Sequence, residues 1–148
     1  MGSFSPHTHA SCNLNAALLW DARYGQIVQA LEGHRDDIIG VDFDCTGHLL
    51  ATGSDDSTCW VWDIRTWRNI AVLRGHNSEV KRVAFSPYGR ALATTSGDGT
   101  ARLWDASDFG CYQVLEGHDD HVFDVAWDPE GSYLVTASPS PRKVSHSR

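Results

Sequence analysis

The chain has 148 residues, 41% hydrophobic and 21% charged, enough for one modest domain with a real core. A net charge of −7, from 12 basic and 19 acidic residues, argues against nucleic acid as a partner, because phosphate-backbone affinity comes from clustered Lys and Arg. No apolar run approaches the roughly 20 residues of a membrane helix, and Met1 to Asn15 shows neither the basic start nor the apolar stretch of a secretory signal. No membrane partner is therefore expected, and the cytoplasm is the expected location, with the nucleus reachable by diffusion.

Residues 1–15 carry no strand or helix period and are expected to be disordered. His7 and His9 lie there, flanked by Pro and Ser, and two His without further ligands are expected to hold no metal. Two short strands follow, Ala16–Trp20 and Gln26–Leu31, and then the dipeptide Gly33-His34. Ile38–Phe43 is rich in branched and aromatic residues, and Cys45-Thr46-Gly47 makes a turn after it. His48–Gly53 reads as the next strand, Ser54-Asp55-Asp56-Ser57 as a turn, Thr58–Trp62 as a third strand and Arg68–Leu73 as a fourth. Val80–Leu115 repeats this set of four after Gly75-His76. Val122–Trp127 and Ser132–Ala137 follow Gly117-His118, and the character of the sequence then changes. Pro139-Ser140-Pro141-Arg142 opposes a further strand, and residues 139–148 are expected to form a disordered Pro/Ser/basic tail. Strands of five or six residues at short spacing, with turn residues between and no capped 3.6-residue period, mean an all-β fold.

The four cysteines (Cys12, Cys45, Cys59, Cys111) show no CxxC or CxxH spacing and are expected to be unpaired thiols. Nothing resembles a phosphate-cradling loop, since Thr52-Gly53-Ser54 and Ser96-Gly97-Asp98-Gly99 lack a following Lys and helix. No cofactor is expected.

The decisive feature is the repeat. Gly33-His34, Gly75-His76 and Gly117-His118 stand 42 residues apart, and Trp20-Asp21, Trp62-Asp63 and Trp104-Asp105 share that interval. Between them Val41/Val83/Val125, Gly47/Gly89/Gly131, Leu50/Leu92/Leu134, Thr52/Thr94/Thr136 and Ser54/Ser96/Ser138 keep the same phase. A 42-residue period with Gly-His at one end and Trp-Asp at the other resembles the WD40 repeat. The resemblance covers residues 16–138, with repeats starting near 33, 75 and 117, and implies a β-propeller of four-stranded blades around a channel.

It also implies roles for residues. In the family a His before the first strand, a Ser or Thr on the second, an Asp in the next turn and the Trp form one hydrogen-bonded network. Carried over, this gives His34, Thr52, Asp56 and Trp62 in one blade and His76, Thr94, Asp98 and Trp104 in the next. A hydroxyl, an imidazole and a carboxylate in proximity also suggest a hydrolase triad. The constellation recurs once per blade, ends on an indole and lacks a G-x-S-x-G turn, so a structural network is expected and no catalytic residue.

Propellers of this family are platforms for other proteins or peptides, and the fold implies no chemistry. The resemblance places Asp37, Ile39, Asp55, Glu79, Lys81, His121 and Phe123 on the rim of the channel, a mixture of acidic and apolar groups suited to a peptide with a basic anchor. Gln113–Asp120 and Asp98–Trp104 are similar to WD-repeat factors that assist axonemal dynein assembly. Similar strings occur in ubiquitin-ligase receptors and in ciliary or centriolar scaffolds, which leaves the sub-family open.

Twelve predicted strands amount to three blades' worth, two complete blades between two half blades, whereas propellers have 4–8 blades. Three readings are open. The favoured one is a fragment of a longer seven- or eight-blade protein, non-functional or partner-dependent alone. The others are a homodimer closing a six-blade ring, and an open arc stabilised by a partner.

Overall fold

A computed structural model describes residues 15–140. It contains β1 (Ala17–Asp21), β2 (Gln26–Leu31), β3 (Ile38–Phe43), β4 (Leu49–Ser54), β5 (Cys59–Asp63), β6 (Arg68–Leu73), β7 (Val80–Phe85), β8 (Ala91–Ser96), β9 (Thr100–Asp105), β10 (Cys111–Glu116), β11 (Asp124–Trp127) and β12 (Leu134–Ala137). Among the described residues there is no helix, and so none long and apolar enough to cross a membrane. The disordered segments expected at the two ends, with His7, His9 and Cys12, fall almost wholly on residues 1–14 and 141–148, outside the described residues.

The strands form two complete antiparallel blades, β3-β4-β5-β6 and β7-β8-β9-β10, and two separate hairpins, β1-β2 and β11-β12. Each blade is a simple meander, because every connection is a short turn that returns the chain beside the strand just made. At Gly33 and Gly75 the backbone has φ of 150° and 151°, where L side chains are strained. A Cβ at Gly75 would come within 2.6 Å of the Arg102 guanidinium, and one at Gly33 would run into the Trp60 ring. The glycine before each of these histidines is thus demanded twice, by φ and by space.

The core lies between the two complete blades. Ala51, Cys59, Val61 and Leu73 of one meet Val80, Val83, Phe85, Leu92 and Trp104 of the other. The contact is close because Gly53 and Gly40 let the backbone of β7 approach β4 and β3. The inner strands β3, β7 and β11 lie in succession, tied by the Phe85 amide donating to Asp42 (2.8 Å), the Trp127 indole donating to the Ala84 carbonyl (3.0 Å) and an Arg82–Asp124 ion pair (3.1 Å).

Most expected strands lie within a residue of those observed, but the last two are shorter. The sequence predicts Val122–Trp127 and Ser132–Ala137, whereas β11 begins at Asp124 and β12 at Leu134. The Val122 amide donates to the Ser96 carbonyl of the preceding blade (2.9 Å), and the Tyr133 amide to the Asp128 side chain (2.7 Å), so these residues serve a junction and a turn. Among the described cysteines, Cys59 is buried, Cys45 and Cys111 are exposed, and all three are free thiols.

Candidate functional site

The sequence pairs His76 with Asp98 and Thr94 with Trp104 across long stretches of chain, and the blade brings all four together. Asp98 stands in the turn between β8 and β9, held by its own amide donating to Ser96 Oγ (3.1 Å), while Thr94 lies within β8 and Trp104 on β9. Trp104 Nε1 donates to Thr94 Oγ1 (2.9 Å), and Thr94 Oγ1 lies 2.7 Å from His76 Nε2. His76 Nδ1 lies 3.0 Å from Asp98 Oδ2. Burial holds the His76 imidazole below its ordinary value despite Asp98, so it is neutral at pH 7. A neutral ring protonated on Nδ1 donates to Asp98 and accepts from Thr94 on Nε2, and every polar atom is satisfied.

Burial pushes the Asp98 carboxyl up, but donors outweigh it: Thr100 Oγ1 (2.6 Å), the Asn77 amide (3.0 Å), His76 and the Thr100 amide (2.9 Å) hold it at about 2. The other blade repeats this. Trp62 Nε1 donates to Thr52 Oγ1 (3.0 Å), which lies 2.8 Å from His34 Nε2, and His34 Nδ1 lies 2.8 Å from Asp56 Oδ2. Burial again opposes the Asp56 charge, and Thr58, His34 and Arg35 overcome it and hold its carboxyl below the usual range.

The structure adds members that the sequence reading missed. Thr58 and Thr100 give both amide and hydroxyl to the Asp two residues earlier, and Ser54 and Ser96 fix the turn by donating to the Asp36 and Ser78 carbonyls (3.0 and 3.1 Å). Their signal was present as a hydroxyl at one phase of the 42-residue period. The third copy is partial. His118 Nε2 lies 2.8 Å from Thr136 Oγ1, but Ser140 occupies the aspartate position and its hydroxyl donates to Asp120 instead (3.1 Å).

Six of the seven rim candidates fall into three local groups, and Ile39 stands apart from them. Asp37 and Asp55 are adjacent, the Asp55 amide donating to the Asp37 carbonyl (2.9 Å), and Asp36 joins them so that the three carboxylates come within 4.8 Å of one another. No spacing rule announced Asp36, because the cluster forms where two turns of one blade meet. Desolvation pushes the Asp55 carboxyl up, and the neighbouring charges of Asp36, Asp37 and Glu79 add to it. Glu79 is paired with Lys81 at 3.2 Å, so Lys81 does not neutralise the aspartates fully. His121 and Phe123 form the third group, with ring centroids 6.3 Å apart and His121 on Asp120 at 2.9 Å. Ile39 and Phe123 are both exposed.

Thr52 and Thr94 are fully buried, and each hydroxyl both accepts from an indole and donates to an imidazole. Such a hydroxyl has its proton already engaged and offers no approach path to a substrate, so the network serves the fold.

Comparison with known proteins accords with this geometry. The family described as WD domain, G-beta repeat matches residues 25–63, 67–105 and 109–140. Each of the first two matches runs from the fourth strand of one blade through the third of the next, so the sequence repeat is out of phase with the blade and ties neighbours together. No curated protein matches the chain. The chain belongs to the WD40-repeat family, whose repeats generally mediate protein–protein interaction and whose domains are typically non-enzymatic scaffolds.

Proposed function

We propose that the chain is a protein-interaction scaffold that binds a protein or peptide on the rim where the first strand of each blade begins. The observation that carries this is the convergence of Asp36, Asp37 and Asp55 within 4.8 Å, beside a Glu79 already paired with Lys81. Burial and the neighbouring carboxylates raise the proton affinity of Asp55, and a cation relieves such a cluster; a Lys or Arg side chain of a partner supplies one. Exposed Ile39 and Phe123 offer apolar contacts beside the charged ones, the mixture a peptide anchor uses. The reading assigns no catalysis and no cofactor, and places the protein in the cytoplasm. It takes other proteins as partners, a second copy of the chain among them, and neither nucleic acid nor membrane.

The test is the double substitution Asp37→Ala and Phe123→Ala, with pull-down from cell extract scored against the parent. Loss of the parent's partners, with the melting temperature unchanged, is the expected result. Recovery of the same partners in the same amounts would exclude this rim as the binding face.

A further inference from the structure

Two edges of the molecule are complementary residue for residue. Two of the three first strands are covered by the inner pair of the preceding blade: β7, with Val83, packs on β3 and β4, and β11, with Val125, packs on β7 and β8. These valines are 4% and 9% exposed, whereas Val41, at the same repeat position in β3, is 57% exposed. Phe43 is exposed where its counterpart Phe85 is buried. Beside them, between β1 and β3, runs an apolar groove of about 310 Å³ lined by Leu18, Trp20, Ile38, Val41, Phe43 and Leu50 among others. This groove occupies the place where an inner pair of strands would stand.

The other edge presents such a pair. β11 and β12 have the positions of β3 and β4 in the complete blade, and Tyr133, immediately before β12, and Val135 within it are exposed where the corresponding Ala91 and Ala93 of β8 are buried. The hydrogen-bond networks are divided the same way. Thr136 holds His118 but, among the described residues, accepts from no indole, and Trp20 in β1 is the exposed counterpart of Trp62 and Trp104.

We propose that two copies of this chain pair edge to edge, β12 of one against β1 of the other, making each junction a four-stranded blade β11-β12-β1-β2. The Trp20 indole of one copy then donates to the partner's Thr136. The pairing of β4 with β5 (Leu50 opposite Trp62, Ala51 opposite Val61, Thr52 opposite Trp60) sets the register. Transposed by the repeat, it puts Leu134 opposite Trp20, Val135 opposite Leu19 and Thr136 opposite Leu18. Two junctions close the ring on a two-fold axis, so the assembly stops at two chains and six blades, within the usual propeller range. Six exposed apolar side chains per junction (Leu18, Trp20, Val41, Phe43, Tyr133, Val135), with the strand backbones, bury on the order of the 1,200–2,000 Å² of a stable interface once both junctions form. This specifies the self-association named above and uses none of the rim residues, so the two readings fail separately.

The test is sedimentation equilibrium of the full chain over about 0.1–100 µM, giving a dimer dissociation constant for the parent and for W20F, T136V and V135D. A dimer is expected. W20F removes the indole N–H together with part of the apolar ring surface, T136V removes only the acceptor, and each should raise the dissociation constant by about tenfold or more, because two bonds are lost per dimer. The double variant should be little worse than either single one, since both remove the same bond. V135D should abolish the dimer, and W20F and T136V keep the question open to measurement if V135D does not fold. A monomer across the range overturns the proposal. So does a dimer indifferent to W20F, or one in which the two single effects add.

Discussion

Trp62 and Trp104, in the complete blades, are 4% exposed, and each donates its indole N–H to a buried threonine. Trp20, at the same position of the repeat, is 55% exposed. The three residues sit on strands of the same kind and are each followed by Asp. What differs is the neighbour: β5 and β9 have an inner strand beside them, and among the described residues β1 is paired only with β2. A repeat therefore specifies a residue's role, while an adjacent strand decides whether that role is exercised.

The largest effect should fall on this contrast. Trp104→Ala should cost about 3–5 kcal/mol, the range for removing a buried tryptophan. Trp20→Ala, measured at a dilution where the chain is monomeric, should stay within about 1 kcal/mol of the parent. Urea unfolding of both variants checks this, and equal losses would show that the edge strand is as well packed as the interior.

The aspartate position gives a second contrast. Asp98→Ala leaves the donors of His76, Thr100 and Asn77 without their acceptor and should cost about 1–3 kcal/mol. Ser140→Ala, at the corresponding place in the third repeat, loses one exposed bond to Asp120 and should change stability by less than about 0.5 kcal/mol. Thermal melts of the pair separate the two cases, and unchanged melting of the Asp98 variant would remove the network as a source of stability.

The threonines sharpen the comparison. Thr94→Val unpairs both His76 Nε2 and Trp104 Nε1 and should cost about 1–3 kcal/mol. Thr136→Val unpairs His118 alone within one chain, and about 0.5–1.5 kcal/mol is expected. A loss at Thr136 equal to that at Thr94 in the monomer would mean that the hydroxyl has a second partner there.

Acid should expose the smallest of these effects. Because burial depresses the His76 pKa in the folded chain, the unfolded chain gains a proton near pH 6.5 before the folded one does, and stability declines as pH falls below that value. Asp98, at about 2 when folded and 3.8 when free, adds a second decline between about pH 4 and 2. Denaturant titrations from pH 7.5 to 3 follow both steps, and Asp98→Asn should flatten the lower one. A stability that rises on acidification from pH 7 to 5 would contradict the neutral imidazole.

Much of the network was legible because its members recur. The resemblance to the WD40 repeat names His34, Thr52, Asp56 and Trp62, and 42 residues later the same types return. Thr58 and Thr100 were equally periodic, yet a hydroxyl after a turn has many uses, and only the distances to Asp56 and Asp98 (2.5 and 2.6 Å) identify this one. Asp36 was less accessible still, because the acidic cluster joins the turn before β3 to the turn after β4, which antiparallel pairing brings to one end of the hairpin.

The sequence by itself determined the strand order, the phase of each turn and the His, Thr, Asp and Trp of each network. Each of these follows from local propensity and a repeat that returns the same chemistry to the same place. It could not determine which copies are core. Val41, Val83 and Val125 are one letter at one phase, and their burial depends on whether another hairpin lies against them. Apolar burial is a property of pairs of surfaces, so only the tertiary structure decided which of the described surfaces meet.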